Sequence, residues 1–99
     1  MQLDIQGHHV QLSDALREYI EKKCRRIEQR NPDLDLLRVI LTADGGKFRA
    51  EMQTHVPRRD RVIAQAESDD MYAAIDQAVR SLDEQLRRIR DKINKSRHS

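Results

Sequence analysis

Positively charged side chains are the residues of this chain most suited to chemistry, because they recur in three clusters. Residues 17–30 carry six basic and three acidic side chains, residues 47–61 five and two, and residues 87–99 six and one. The net charge of the whole chain is only +2, so the remainder is correspondingly acidic. Clustered cations of this kind steer a polyanion to one face of a protein, and the phosphates of nucleic acids form such a polyanion.

Residues suited to catalysis or metal ligation are sparse by contrast. His8 and His9 are adjacent, so on a strand they would point to opposite faces and could not share a metal ion. Cys24 is the one cysteine and lies at the edge of an apolar stripe, which predicts a core position. Gly45 and Gly46 do not precede a helix, so they indicate a turn and not a phosphate loop. The sequence therefore predicts no catalytic residue, no metal, no cofactor and no enzymatic activity.

Size and composition narrow the class of protein. The 99 residues suffice for one domain, expected at residues 1–95, with a short basic tail at residues 96–99. Trp is absent and Phe occurs once, so the core must be aliphatic. No apolar run approaches the roughly 20 residues that cross a membrane, and the first residues lack the features of a signal peptide. Together with the single cysteine, these features predict a cytoplasmic protein.

Apolar residues at spacings of three and four predict two helices. Ser13 is the expected N-cap of the first helix, which should end near Arg30 because Pro32 disfavours helical geometry at the residue before it. Residues 68–70 begin the second helix, which should run to about Asn94. The two apolar stripes consist of Leu16, Tyr19, Ile20, Lys23 (by its aliphatic stem), Cys24 and Ile27 in the first helix, and of Met71, Ile75, Ala78, Leu82, Leu86, Ile89 and Ile93 in the second.

Apolar alternation predicts four strands, at residues 2–9, 36–43, 47–56 and 62–67. A tight hairpin at Gly45 and Gly46 joins the second strand to the third, and a turn at residues 57–60 joins the third to the fourth. The order β-α-β-β-β-α makes the first helix a crossover between two parallel strands. Because each helix has one apolar stripe, we expect an α+β fold with both helices on one face of a four-stranded sheet.

Basic side chains extend over the solvent faces of both predicted helices. Surface ion pairs within the second helix are one explanation, since an acid stands four residues before Arg80, Arg87, Arg88 and Lys95. A helix of this length would span roughly 38 Å, whereas a strand of eight residues spans roughly 26 Å. The basic end of the helix would then overhang the sheet, which favours contact with nucleic-acid phosphates.

Three stretches carry a resemblance to a known family. They are residues 1–7, residues 15–20 and, most specifically, the sequence Asp-Met-Tyr-Ala-Ala-Ile-Asp at residues 70–76. In these stretches and in element order the chain resembles the ribosome hibernation promoting factors, also called ribosome-associated inhibitors or sigma-54 modulation proteins. The resemblance implies a fold akin to double-stranded RNA-binding domains. It also implies binding to the small ribosomal subunit near the mRNA and A- and P-site tRNA channel, and inhibition of translation in stationary phase or stress.

The resemblance also implies which residues contact ribosomal RNA. Tyr72 and Asp76 belong to the family signature, and the expected RNA-binding residues are Lys22, Lys23, Arg25, Arg26, Arg80, Arg87, Arg88 and Arg90. Long family members carry a C-terminal domain that pairs ribosomes, and this chain is expected to lack it. A ribosome modulation factor is then the expected partner for ribosome dimerisation, and the protein is expected to be a monomer off the ribosome.

Two alternatives remain open at this point. The same basic faces suit a generic double-stranded RNA-binding module that has no preference for ribosomes. Ile89 and Ile93 continue the apolar stripe onto the expected overhang, where a partner helix could cover them, so a helix-mediated protein-interaction module is also compatible with the sequence.

Overall fold

Six elements make up the fold, and their order is the predicted one. The computed structural model describes residues 1–59 and 61–97. Its elements are β1 (Gln2–His8), α1 (Asp14–Arg30), β2 (Leu36–Asp44), β3 (Lys47–His55), β4 (Arg61–Ser68) and α2 (Met71–Arg97). The strands form one sheet in the order β1-β2-β3-β4, in which β1 is parallel to β2 and the other neighbours are antiparallel. The predicted α+β architecture with its parallel first pair is confirmed.

One face of the sheet carries the core, as the alternation in β3 predicts. Ala50, Met52 and Thr54 are buried, and the residues between them face away from the helices. Leu16, Ile20, Cys24 and Ile27 of α1 and the first five stripe residues of α2 belong to the same buried cluster as these strand residues. Both helices therefore cover one sheet face, and the opposite face of the sheet is open to solvent.

Side chains cap the helices where the sequence predicts that they begin and end. The Ser13 hydroxyl accepts a hydrogen bond from the backbone N–H of Leu16 at 3.1 Å. Asn31 closes α1, since its side-chain amide donates to the Ile27 carbonyl at 2.8 Å. Asp70 accepts from the N–H of Tyr72 at 3.3 Å and begins α2. No proline stops α2, and it continues three residues beyond the predicted end to Arg97.

Gly7 lies inside β1, and the strand ends one residue earlier than predicted. His9 has left the strand with a φ of 60°, so His8 and His9 do not share a strand as the sequence argument assumed. A Cβ atom at Gly7 would lie 2.5 Å from the carbonyl oxygen of Val10, so only glycine lets the chain fold back this closely.

The hairpin between β2 and β3 has the predicted geometry. Gly45 and Gly46 have φ values of 58° and 82°, as a two-residue hairpin of type I′ requires. In the following turn, Arg58 adopts a φ of 63°. Asp60 of the predicted turn, the side chain of Lys95 and the end of the predicted tail at residues 98–99 lie outside the described residues.

The length of α2 makes the molecule elongated. Its 27 residues correspond to roughly 40 Å, and the described chain measures 49 × 22 × 18 Å. Ile89 is half-buried against the core, and Ile93 is also half-buried. Among the described helices, none is long and apolar enough to cross a membrane.

Candidate nucleic-acid interface

A groove between α1 and α2 brings charged side chains of both helices together. Two adjoining depressions of about 180 and 380 Å³ form it, and they share Arg30, Arg80 and Asp83 in their walls. We name it the interhelix groove. Its charged lining residues are Lys23, Arg26 and Arg30 of α1, and Asp76, Arg80, Asp83, Glu84, Arg87 and Arg90 of α2.

Helical periodicity explains why these side chains meet. Lys23, Arg26 and Arg30 are three and seven residues apart, so they lie along one side of α1. From Asp76 to Arg90, the charged lining residues of α2 follow at steps of three and four, apart from Glu84. Packing of the two helices on one sheet face then turns these two rows toward each other.

The structure divides the eight predicted RNA-binding residues into two groups. Five of them, Lys23, Arg26, Arg80, Arg87 and Arg90, line the interhelix groove. The other three, Lys22, Arg25 and Arg88, are exposed but do not line it.

Arg30 is a groove residue that sequence reasoning missed. The predictions treated it only as the end of α1, although its distance of seven residues from Lys23 is the signal that it shares a face with that residue.

Lys23 is held in the groove by two neighbours. Its ammonium nitrogen lies 3.4 Å from a carboxylate oxygen of Asp76 and 5.4 Å from the ring centre of Tyr19. The Tyr19 hydroxyl donates to the same carboxylate oxygen, and the Tyr72 ring meets Tyr19 edge-on at 4.9 Å. This hydrogen bond, together with burial, raises the pKa of Tyr19 to about 12. Tyr19 and Asp76 therefore fix the position of Lys23.

Two acids of α2, Asp76 and Asp83, pair across the groove and not along their own helix. Asp83 accepts from Arg30, just as Asp76 pairs with Lys23. Within the described part of the chain, Arg80, Arg87 and Arg88 form no ion pair, although an acid precedes each by four residues. The alternative explanation of the α2 charges as surface pairs within one helix is wrong for these three arginines.

One oxygen of Asp83 is unsatisfied. Its Oδ1 atom is buried and has no hydrogen-bond donor among the described residues, whereas Oδ2 takes the guanidinium of Arg30. An anionic oxygen without a donor is unfavourable when it is withdrawn from water. Asp83 thus places negative charge among the groove arginines without being fully stabilised itself.

Arg90 has a structural contact as well as a place in the groove. Its guanidinium donates to the side-chain oxygen of Asn31, which is buried and caps α1. Arg90 therefore ties the C-terminal half of α2 to the end of α1. A substitution of Arg90 would alter this connection in addition to the surface charge.

Cys24 lies in the core, as predicted. It is 2% exposed, and burial raises the pKa of its thiol to about 12. The thiolate that would act as a nucleophile is therefore strongly disfavoured near neutral pH. In the described ranges, no group of histidine, cysteine and carboxylate side chains is arranged to hold a metal ion.

The sequence and fold agree with one family along almost the whole chain. A family model described as "Sigma 54 modulation protein / S30EA ribosomal protein" matches residues 3–94. The chain belongs to this family. The match covers the whole of α1 and all of α2 up to Asn94, three residues before that helix ends.

Curated relatives and solved structures lead to the same family. A ribosome hibernation promoting factor of Azotobacter vinelandii is 40% identical over 93% of this chain and 85% of its own length. Its counterpart in Escherichia coli K12 is 34% identical over 94% of this chain and 97% of its own. The N-terminal domain of Protein Y from Thermus thermophilus shares 37% identity and a TM-score of 0.80, over 90% of this chain and 99% of that domain. A ribosomal subunit interface protein from Coxiella burnetii gives a TM-score of 0.85 at 32% identity, over 92% of this chain and 99% of that one.

Proposed function

We propose that this S30EA-family protein is a cytoplasmic ribosome hibernation factor that inhibits translation in stationary phase or stress. It binds the small ribosomal subunit near the mRNA and A- and P-site tRNA channel and has no enzymatic activity. Its family membership and the names of its relatives, which include hibernation promoting factors and a ribosomal subunit interface protein, support this function.

The convergence of cations from two helices is the observation that carries the proposal. Six basic side chains, Lys23, Arg26, Arg30, Arg80, Arg87 and Arg90, line one groove. Packed helix axes are roughly 8–10 Å apart, so the two rows can contact successive phosphates of one RNA segment. Such contacts read the backbone and the shape of RNA and carry little sequence information. Lys22, Arg25 and Arg88 extend the same basic surface beyond the groove.

Occupancy of the channel is the mechanism that follows. The protein performs no reaction, and its rigid sheet-and-helix body excludes mRNA and tRNA from the volume that it fills. Ribosome binding then depends on displacement of counterions from RNA by the groove cations. Salt therefore weakens inhibition and binding together.

Sedimentation with purified small subunits tests the proposal. The test variant is Arg80→Glu with Arg87→Glu, because neither residue forms an ion pair within the described part of the chain. We expect at least a tenfold loss of affinity and an unchanged melting temperature. The matched control is Arg25→Glu with Arg88→Glu, which makes the same charge change at one position of α1 and one of α2, both outside the groove. A smaller loss is expected for the control.

Equal losses for the two double variants would contradict a groove-specific contact. Free RNA duplexes provide the second comparison, since equal affinity for a duplex and for the subunit would favour a generic double-stranded RNA-binding module. Inhibition of a purified translation reaction by the unaltered protein, relieved by Arg80→Glu with Arg87→Glu, completes the test.

The protein is proposed to be a monomer off the ribosome, with a ribosome modulation factor as the partner for ribosome dimerisation. Ile89 is half-buried against the core of its own chain, which reduces the apolar surface that a partner helix could cover. Light scattering over a range of concentrations checks the monomer. A mass that rises with concentration would favour the protein-interaction module instead.

A further inference from the structure

A second concave site lies on the open face of the sheet, away from both helices. It is a cavity of about 330 Å³, at the end of the sheet where β2 and β4 begin and β3 ends. This volume falls within the range of small-molecule sites, roughly 300–1,000 Å³. We name it the sheet-end cavity. Its lining includes Asp35, Leu36, Arg38, His55, Pro57 and Arg61.

Sheet register explains why two arginines converge there. Arg38 lies between the buried residues Leu37 and Val39, and Arg61 precedes the buried Val62, so both arginines project from the open face. Arg61 is paired with His55 across β3 and β4. Arg38 is two strands away from Arg61, and both residues line this one cavity, so a ligand inside it can contact both side chains. The basic cluster at residues 47–61 thus contributes to a site that the interhelix groove does not use.

The position of Arg38 is fixed by its neighbours in β1. Its Nε donates to a carboxylate oxygen of Asp4 at 3.1 Å, and the same oxygen accepts from Gln6 at 3.0 Å. The two terminal nitrogens of Arg38 make no hydrogen bond to any other described residue, so they remain able to donate. A guanidinium held at one edge with its other donors free is well suited to binding an anion.

The remaining lining residues suit a ligand larger than an inorganic anion. Asp35 adds an acidic residue to the lining, and a carboxylate repels a bare phosphate but can accept hydrogen bonds from hydroxyl groups. Leu36 and Pro57 supply apolar wall against which a flat ring can pack. The arginines suit a phosphate, the carboxylate suits hydroxyl groups, and the apolar wall suits a flat ring. A nucleotide contains all three of these groups.

We propose that the sheet-end cavity binds one nucleotide, with its phosphate on Arg38 and Arg61 and its ribose hydroxyls on Asp35. The nucleotide is either free in solution or an unstacked residue of an RNA strand. This site is distinct from the interhelix groove, and its existence does not depend on the proposed ribosome-binding function.

Titration of the full chain with AMP, followed through backbone amide NMR signals, tests the proposal. We expect saturable shifts at residues 35–38, 53–56 and 61. Arg61→Ala should weaken AMP binding at least tenfold. The matched control is Arg49→Ala, which removes an arginine from the same face but one that is paired with Glu67 at 3.2 Å, and it should leave AMP binding unchanged.

Inorganic phosphate and adenosine are the probes that separate the parts of the ligand. We expect each to bind at least tenfold more weakly than AMP, and we expect Asp35→Asn to weaken AMP but not phosphate. Phosphate binding as tight as that of AMP, equal losses for Arg61→Ala and Arg49→Ala, or AMP shifts confined to the interhelix groove would each overturn the proposal.

The oligonucleotide A6 identifies the source of the nucleotide. If the natural ligand is part of an RNA strand, A6 binds more tightly than AMP and Arg61→Ala weakens it. If the ligand is a free nucleotide, AMP is bound more tightly than A6. Either order of affinities supports the cavity as a nucleotide site. The proposal is overturned if AMP does not bind and if Arg61→Ala leaves the binding of A6 unchanged.

Discussion

Asp83 shows how a single residue can set the affinity of a charged surface. Its carboxylate lies among the groove arginines, pairs with Arg30 and leaves one buried oxygen without a donor in the described part of the chain. A phosphate that enters the groove must compete with this carboxylate for the same guanidiniums. Under the proposed function Asp83 is therefore expected to weaken binding of RNA, while its negative charge offsets the repulsion among the groove arginines in the free protein.

Asp83→Asn is expected to tighten RNA binding. Removal of one like charge near the bound phosphates should improve the binding free energy by about 1 kcal/mol, or about fivefold in Kd. Small-subunit affinity measured by sedimentation or fluorescence anisotropy checks this. Glu84→Gln is the control, since Glu84 is exposed at the groove rim and its removal should have a smaller effect. Weaker binding by Asp83→Asn would show that the carboxylate positions Arg30 for contact.

Asp76→Asn is expected to lower the pKa of Tyr19 from about 12 toward its ordinary value of 10.0, because the hydrogen bond to Asp76 is the largest cause of the shift. The titration is followed by tyrosinate absorbance in a Tyr72→Phe background. The chain has two tyrosines, so the absorbance change then comes from Tyr19 alone. An unchanged pKa would mean that burial alone causes the shift.

The raised pKa of Tyr19 also has a consequence for stability. Because the fold favours the neutral phenol, its contribution to stability is complete below about pH 10 and is lost as the pH rises toward 12. In Asp76→Asn this loss should begin near the same pH, because the unfolded chain sets its onset, but it should be smaller and end at lower pH, as measured by chemical denaturation over the alkaline range.

At the scale of elements, the close return of the chain after β1 depends on Gly7. Its φ lies outside the left-handed region, so an alanine there is excluded by space and not by backbone conformation. The added methyl group would meet a backbone oxygen at 2.5 Å, and a backbone atom cannot move aside as a flexible side chain can.

Gly7→Ala is therefore expected to destabilise the fold by about 1–3 kcal/mol, as overpacking does elsewhere. Urea denaturation measures the change. Gln2→Ala at the exposed start of the same strand is the control, and it should stay within about 0.5 kcal/mol of the unaltered chain. Equal stability of Gly7→Ala and Gln2→Ala would show that the segment from Gly7 to Val10 relaxes without cost.

At the scale of the whole molecule, charge is distributed on two opposite sides. The interhelix groove lies on the helical side, and the sheet-end cavity lies on the open face of the sheet. The overall net charge of +2 hides this arrangement, because acidic side chains over the whole chain nearly balance the clustered basic ones. Local cation density, and not total charge, determines which faces attract phosphate.

Salt dependence is the expected signature of the groove at this scale. If all six groove cations contact phosphates, log affinity should fall with log salt with a slope of about 4 to 5, since each contact contributes about 0.7–0.9. Arg80→Glu with Arg87→Glu should reduce the slope by about 1.4–1.8. Binding to small subunits measured at several salt concentrations checks both values, and a slope near zero would rule out phosphate contacts as the main source of affinity.

The sequence by itself determined the element order, the buried face of each strand and helix, and the family. Those features depend on local periodicity, such as the alternation in β3 and the three-and-four spacing in α2. Such periodicity can be read from one sequence without knowledge of tertiary contacts. Only the tertiary structure decided how charges pair. The spacing of Asp76 and Asp83 is compatible with ion pairs to arginines of their own helix, yet both acids reach Lys23 and Arg30 across the groove. Partners more than 50 residues apart in sequence become neighbours only when α1 and α2 pack side by side on the sheet. Spacing along the sequence does not indicate which residues of the two helices will face each other.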